Sequence, residues 1–338
     1  MAVAVFLVGC AAIKGGLAGN EHFGDVSLYQ ADATRVVHGQ IPYRDFFFEY
    51  PPGSLVAIVL PALVSTAHYA TLFKALMAVL GAASIVVVGR IARDMGETRG
   101  RMTAVLAVIA LSPFLLGPLV LDEYDQWPTL LTSLALLAFV RKRDGVGAGL
   151  LGFGAATKVF PAFILPAALV WVYRRSGRQA ALRCLVAAIA VAAVTYVGFV
   201  ALAPGGVWNS IEIQARRGLQ KESVGSALLY VLDQLGLYKA RIVVGNSQWT
   251  ELTGTAGNAL AVVSSVCQVA VAFAAAAIVA RRRPDPRVLV YGAAVAVAGF
   301  VAFGKVFSPQ YLIWLVPLAA LAGGVATWAL LAVALVLT

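Results

Sequence analysis

The sequence predicts an all-α polytopic membrane protein: a bundle of about 10–11 transmembrane or half-spanning helices forming one integral domain over residues 1–338, with an amphipathic first loop on one face. Three observations carry this. The chain is 61% hydrophobic and 12% charged, whereas a soluble domain is roughly half apolar and about a quarter charged. Its mean hydropathy is +0.86. Long apolar runs separated by short charged clusters recur from one end to the other, and no stretch has a soluble composition.

The first run, Ala2 to Ala18, has the length of a signal-peptide core, but no basic segment precedes it and the chain after it never becomes soluble, so it is expected to be the first membrane helix. Further helices are expected over 69–90, 102–121, 128–140, 180–203, 258–280, 288–303, 311–323 and 325–337. Between Gly145 and Tyr173 the pattern is that of two shorter helices meeting at Thr157-Lys158-Val159-Phe160-Pro161, because a lysine followed by a proline in mid-span is tolerated only where it faces protein or water. The apolar stretch from Ser54 to Ala67 is short for a crossing. If it crossed fully, the following helix would run the wrong way for its arginines. A partial or kinked segment with Pro61 in its middle reconciles the charges.

Basic residues fall in four clusters: Arg90, Arg93, Arg99 and Arg101; Arg141, Lys142 and Arg143; Arg174, Arg175, Arg178 and Arg183; and Arg281, Arg282, Arg283 and Arg287. Short basic loops between apolar segments are the positive-inside pattern and mark the cytoplasmic side, so the net charge of +10 sets orientation and does not point to nucleic acid. The opposite side receives the first loop (19–53), the turn from Asp122 to Trp127, the Lys158 corner, a second long loop (204–257) and the turn from Lys305 to Gln310. Every acidic residue except Asp94, Glu97, Asp144 and Asp285 lands there. Cys10, Cys184 and Cys267 each lie inside an apolar run without metal or redox spacing and are expected to be packing residues.

The most informative stretch runs from Gly24 to Gly53. Asp25, Tyr29, Asp32 and Arg35 recur at helical spacing, which predicts a short amphipathic helix along the membrane surface, ended by Gly39. Pro51-Pro52-Gly53 predicts an extended turn before the chain re-enters lipid. Carboxylates this close to hydrocarbon are costly and are kept for ion pairs or for function. Read alone, Arg35 with Asp32 and Arg44 with Asp45 also fit solvated interfacial pairs, and Phe46, Phe47, Phe48 and Tyr50 an aromatic belt. No P-loop, dinucleotide fingerprint or nucleophile-base-orienter set is present.

Taken together, this loop resembles the first extracytoplasmic loop of GT-C-fold glycosyltransferases, most closely glycosyltransferase family 87, the polyprenol-phosphate-mannose-dependent α-mannosyltransferases. Three further segments agree: LDEYDQWP (Leu121 to Pro128), GFGAATKVFPAFILP (Gly152 to Pro166) and GKVFSPQYLIWLVPL (Gly304 to Leu318). The resemblance implies inverting transfer of a sugar, α-mannosyl by expectation, from a polyprenyl-phosphate donor to a lipid or polysaccharide acceptor, at a site on the extracytoplasmic side of the cytoplasmic membrane. It places the catalytic carboxylate at Asp25.

Such chemistry needs a base, cations for the departing phosphate and a route for the lipid tail. Asp25 is the expected base. Lys158 and Lys305 are the expected phosphate cations, with Arg44, Arg216 and Arg217 as possible partners. His22, Tyr29, Asp45, Glu49, Tyr50, Asp122, Asp125, Gln310 and Tyr311 complete the expected substrate-binding set, and Trp127, Trp208 and Trp249 are either sugar platforms or interfacial anchors. Asp122, Glu123 and Asp125 are oxygen ligands of the kind a divalent metal prefers, yet a phosphate paired with lysines does not require one; neither metal nor cofactor is expected, and the lipid-linked sugar supplies the energy. The rival reading is a transporter or flippase of a lipid-linked or small anionic substrate. It requires polar residues near the bilayer midplane, whereas the charges here collect at one face.

Overall fold

The computed structural model describes residues 1–13, 17, 24–244 and 250–337. Sixteen α-helices are present among them: α1 (Ala2–Ala12), α2 (Val26–Val37), α3 (Leu55–Val64), α4 (Tyr69–Asp94), α5 (Arg99–Leu116), α6 (Leu119–Asp122), α7 (Gln126–Val140), α8 (Asp144–Ala155), α9 (Phe160–Ser176), α10 (Arg178–Leu202), α11 (Pro204–Arg216), α12 (Val224–Gln234), α13 (Thr255–Ala280), α14 (Pro286–Ala302), α15 (Leu312–Ala322) and α16 (Val325–Val336). The chain is an all-α polytopic membrane protein. Helices α4, α5, α10 and α13 are long and apolar enough to cross a bilayer, and six shorter apolar segments accompany them.

The basic clusters tie one end of the bundle together. Arg101 donates to the carbonyls of Leu321 (3.1 Å) and Gly323 (2.7 Å), Arg287 pairs with Glu97 (2.9 Å), Arg141 with Asp94 (2.7 Å), and Arg175 with Asp144. Thr98 and Asp285 cap α5 and α14 at this end by accepting from the amides of Arg101 and Arg287. Close helix packing relies on small residues. At Gly152 of α8 a β-carbon would run into the Ala188 carbonyl of α10, so these backbones meet only because a hydrogen stands there.

At the other end lie α2, the 122–125 turn and the 157–159 corner. The segment after Ser54 forms a helix of ten residues, α3, about 15 Å long and half a hydrocarbon thickness. Both its flanks stay at this end: the Gly53 amide donates to the Ala156 carbonyl (2.7 Å), and Gln30 of α2 donates to the Thr66 carbonyl (3.0 Å). Helix α3 is therefore too short to cross, and α4 delivers its arginines to the same end as the other basic clusters. The 145–173 region is two helices, α8 and α9, broken at Thr157 to Val159 as the proline demands.

The 204–257 stretch is more ordered than a loop. Pro204 starts α11 at its first position, α12 is capped by Ser223 accepting from the Ser226 amide (3.2 Å), and three short strands, β1 (Leu219–Gln220), β2 (Arg241–Val244) and β3 (Thr250–Thr253), form an antiparallel sheet in the order β1-β3-β2. Leu219, Leu229, Leu252 and Ala261 form its own small core. The Gln220 amide donates to the Lys305 carbonyl (2.8 Å), which fastens this sheet to the turn before α15.

Candidate active site

Asp25 sits immediately before α2, entered through Gly24 in the left-handed region (φ +83°). A side chain at Gly24 would be strained there and would also strike Glu123 Oε1. That carboxylate occupies the space for a reason: the Asp25 amide donates to Glu123 Oε1 (3.2 Å), and the Tyr29 hydroxyl, one helical turn on, donates to Glu123 Oε2 (2.6 Å). The Tyr50 hydroxyl donates to Asp25 Oδ2 (3.0 Å), with Tyr29 at 3.5 Å from the same oxygen. Tyr29, Tyr50 and Tyr124 pack edge to face with centroids 5.3–5.7 Å apart, so the two hydroxyls are aimed by buried rings. Burial, with the charges of Asp25 and Asp125, pushes the Glu123 carboxyl well above the usual range.

Lys158, in the break between α8 and α9, donates to both oxygens of Asp125 at 2.8 Å. Its ammonium also lies over the rings of Tyr124 (4.6 Å), Trp314 (5.3 Å) and Tyr311 (5.4 Å), and the Trp314 indole donates to Asp125 Oδ1. Phe160, Trp314 and Tyr311 stack in sequence at 4.3 and 4.2 Å. The lysine expected to meet a phosphate is thus already matched to a buried carboxylate. Its charge still reaches Glu123 and Glu49.

Glu49 is held from α11. Gln214 donates to Glu49 Oε1 (3.0 Å), Ser210 donates to the Glu49 carbonyl (3.1 Å), and Arg217 lies 4.0 Å from Oε1. Burial pushes Glu49 upward while Gln214 and Arg217 pull against it; the Asp25 charge also reaches it. Beyond Arg217 the site opens into a cavity of about 740 Å³, with Arg216, Arg217 and Lys305 at its head and Ala261, Ser265 and Val269 of α13 along its wall. Lys305 donates to the Ala215 carbonyl (2.6 Å). It therefore stands apart from Lys158 and joins the acidic centre through Arg217, whose charge acts on both Lys305 and Tyr311.

Other expected residues lie elsewhere. Arg44 and Asp45 pair with each other (2.9 Å) on the exposed surface, where Asp45 also accepts from the Ile41 amide (2.7 Å); this is the solvated pair, outside the centre. The three carboxylates of the acidic turn diverge. Asp122 turns into the bundle toward Lys74 (3.3 Å), Glu123 toward Asp25, and Asp125 toward Lys158. Gln310 accepts from Ser308. Trp127 donates to the Gly53 carbonyl (3.2 Å), and Trp208 is exposed. His22 and Trp249 lie outside the described residues.

Gln214 and Trp314 are the members that sequence reasoning did not place, and Glu123 entered it only as an oxygen of the kind a metal prefers. Trp314 lies one helical turn after Tyr311, and Gln214 shares a face of the amphipathic α11 with Ser210, so spacing held a signal for both. Lys74, the only lysine within α4, was the visible sign of a buried partner for Asp122.

A family model described as glycosyltransferase family 87 matches residues 47–309. The match takes in Glu49, Tyr50, the acidic turn, Lys158 and Lys305, and begins after Asp25. A search of curated proteins finds no match.

Proposed function

The chain belongs to glycosyltransferase family 87 and is a membrane glycosyltransferase, and we propose that it moves a mannosyl group with inversion from a polyprenyl-phosphate donor to a hydroxyl of a lipid or glycan acceptor, on the extracytoplasmic side of the cytoplasmic membrane. The observation that carries this is the grip on Asp25. Among the described residues, Tyr50 and Tyr29 both address Oδ2 and no hydrogen bond is made at Oδ1, the oxygen that in this reading meets the acceptor hydroxyl.

In this reading Oδ1 takes the proton as the acceptor oxygen bonds to the anomeric carbon, and the bond from that carbon to the phosphate oxygen breaks, its electron pair leaving with the phosphate. A single displacement turns a β-linked donor into an α-linked product. The cationic side of the site is Arg217, a guanidinium suited to gripping a phosphate. Lys158 acts one step back by neutralising Asp125, so that Asp25 and Glu123 are not joined by a third uncompensated carboxylate. The aromatic stack of Phe160, Trp314 and Tyr311 shapes a wall on which a sugar face can rest.

The test is direct. Purified protein in lipid nanodiscs receives β-linked polyprenyl-phosphate mannose labelled in the sugar, with a lipid extract as acceptor. Label in a product that an α-mannosidase releases is the expected result. Protein that retains the donor yet yields no labelled product overturns the reading, and label that resists α-mannosidase but yields to a β-mannosidase overturns inversion.

A further inference from the structure

We propose that α12 is seated in the leaflet at the end of the bundle opposite the basic clusters, with the apolar face formed by Val224, Ala227, Leu228, Val231 and Leu235 laid against lipid. This seat is independent of the sugar and the donor assigned above.

Helix α12 is apolar on two sides. Leu229 belongs to the small core of the 204–257 stretch, and Tyr230 and Leu232 pack against that core. The other side repeats at positions 224, 227, 228, 231 and 235, the spacing of one helical face. Val224, Leu228, Val231 and Leu235 are each more than half exposed and Ala227 is exposed with them, so among the described residues nothing in the chain covers this face. A helix that is apolar all round is one that is buried all round. Charge stays off the stripe: Lys221 and Glu222 before the helix and Lys239 and Arg241 after it are exposed, while Asp233 accepts from the Ala240 amide (3.0 Å).

Depth in the bilayer identifies the cover. Helix α13 ends at Ala280, and Arg281, Arg282 and Arg283 follow it at the basic end. About 20 residues of helix cross the hydrocarbon, and counted back from Arg281 they reach Ala261. Ala261 is the residue of α13 that shares one buried cluster with Leu229 of α12. That contact holds α12 at the hydrocarbon boundary and not out in solvent. Val262 and Val263, next along α13, are more than half exposed, as lipid-facing residues of a spanning helix are. A second copy of the chain fits the face less well. The stripe is about 17 Å long and one helix wide, about 10 Å, against the roughly 800 Å² that each partner of a stable dimer buries.

Two hydrogen bonds join the seat to the candidate site. Ser226 of α12 donates to the Gln220 carbonyl (2.6 Å), and the Gln220 amide donates to the Lys305 carbonyl (2.8 Å). Lipid against α12 therefore steadies the strand that follows Arg217.

The experiment uses the full chain in nanodiscs of phosphatidylethanolamine and phosphatidylglycerol in equal parts, with photoreactive p-benzoylphenylalanine in place of Leu228, of Val231 or, as the reference, of Val263. Irradiation at both α12 positions is expected to give phospholipid adducts, read by mass spectrometry, at a yield within about threefold of that at Val263. A separate variant, Val224→Asp, puts a carboxylate in the first turn of α12, where water would let it stabilise the helix and lipid makes it costly. Amide exchange across 224–235 is therefore expected to quicken about threefold or more in nanodiscs. Crosslinks from Leu228 or Val231 to a second copy of the chain, adducts at Val263 alone, or exchange that is slowed or unchanged by Val224→Asp overturns the proposal. None of these readouts needs turnover, so the seat stands or falls apart from the transfer reaction.

Discussion

The backbone amide of Asp25 and the carboxylate of Glu123 meet at 3.2 Å, joining the start of α2 to the acidic turn before α7. The same carboxylate takes the Tyr29 hydroxyl at 2.6 Å. Glu123 thus fixes both the backbone of Asp25 and one of the two hydroxyls that address its side chain. The aim of the Asp25 carboxylate is therefore set by the acidic turn together with Tyr50 of the first loop.

Glu123→Gln should lower kcat by about tenfold to a hundredfold while leaving the KM for donor within about twofold, because the amide supplies one acceptor oxygen where two are used and Arg217 keeps its place beside Glu49. Steady-state kinetics at varied donor concentration checks this. A raised KM with unchanged kcat would move Glu123 from positioning to binding.

Tyr50→Phe removes one hydrogen bond to Asp25 Oδ2 and keeps the ring packed against Tyr29 and Tyr124. The expected loss in kcat is smaller, about threefold to tenfold, with an unfolding temperature close to that of the unmodified protein. A fall in unfolding temperature as large as the fall in rate would make the hydroxyl a structural contact.

Lys158→Ala strands Asp125, whose side chain is fully buried. Removing one partner of a buried ion pair costs about 3–5 kcal/mol, so this variant should unfold at markedly lower temperature, and the added change Asp125→Asn should restore part of the loss. Thermal unfolding in detergent followed by tryptophan fluorescence measures both. Equal unfolding temperatures for the single variant and the unmodified protein would contradict the pairing.

Asp32 titrates in a useful range: burial pushes its carboxyl up to about 6, with Arg35 pulling against it. The folded value lies above the ordinary aspartate value near 3.8, so the folded form takes up the proton first. This contribution to stability is full below about pH 4 and is lost as pH rises through about 6. Unfolding temperatures at pH 5 and pH 7.5 should therefore differ less in Asp32→Asn than in the unmodified protein. Parallel shifts in both would show that Asp32 does not carry the effect.

Periodicity made most of the fold legible. The helix over Asp25 to Arg35, the break at Lys158 and the short segment with Pro61 all follow locally from spacing and from the cost of polar groups in lipid. Pairing was less legible. Lys158 and Lys305 look alike in sequence, each a lysine in a broken apolar segment, yet one meets Asp125 across 33 positions and the other donates to the Ala215 carbonyl within the field of Glu251. The three carboxylates of 122–125 likewise take three different partners, because a turn followed by a helix start sends successive side chains in different directions. The small sheet over 219–253 stayed hidden because strands of two to four residues are too short to show alternation.

The central claim is that Asp25, and not the neighbouring surface carboxylate, accepts the proton. The most direct measurement is the turnover of purified Asp25→Asn beside Asp45→Asn with polyprenyl-phosphate mannose, at matched folding and matched donor retention. Asp25→Asn should lose about 10²–10⁴-fold in kcat while Asp45→Asn stays within about twofold. Near-normal turnover by Asp25→Asn, or a comparable loss in Asp45→Asn, would contradict the account.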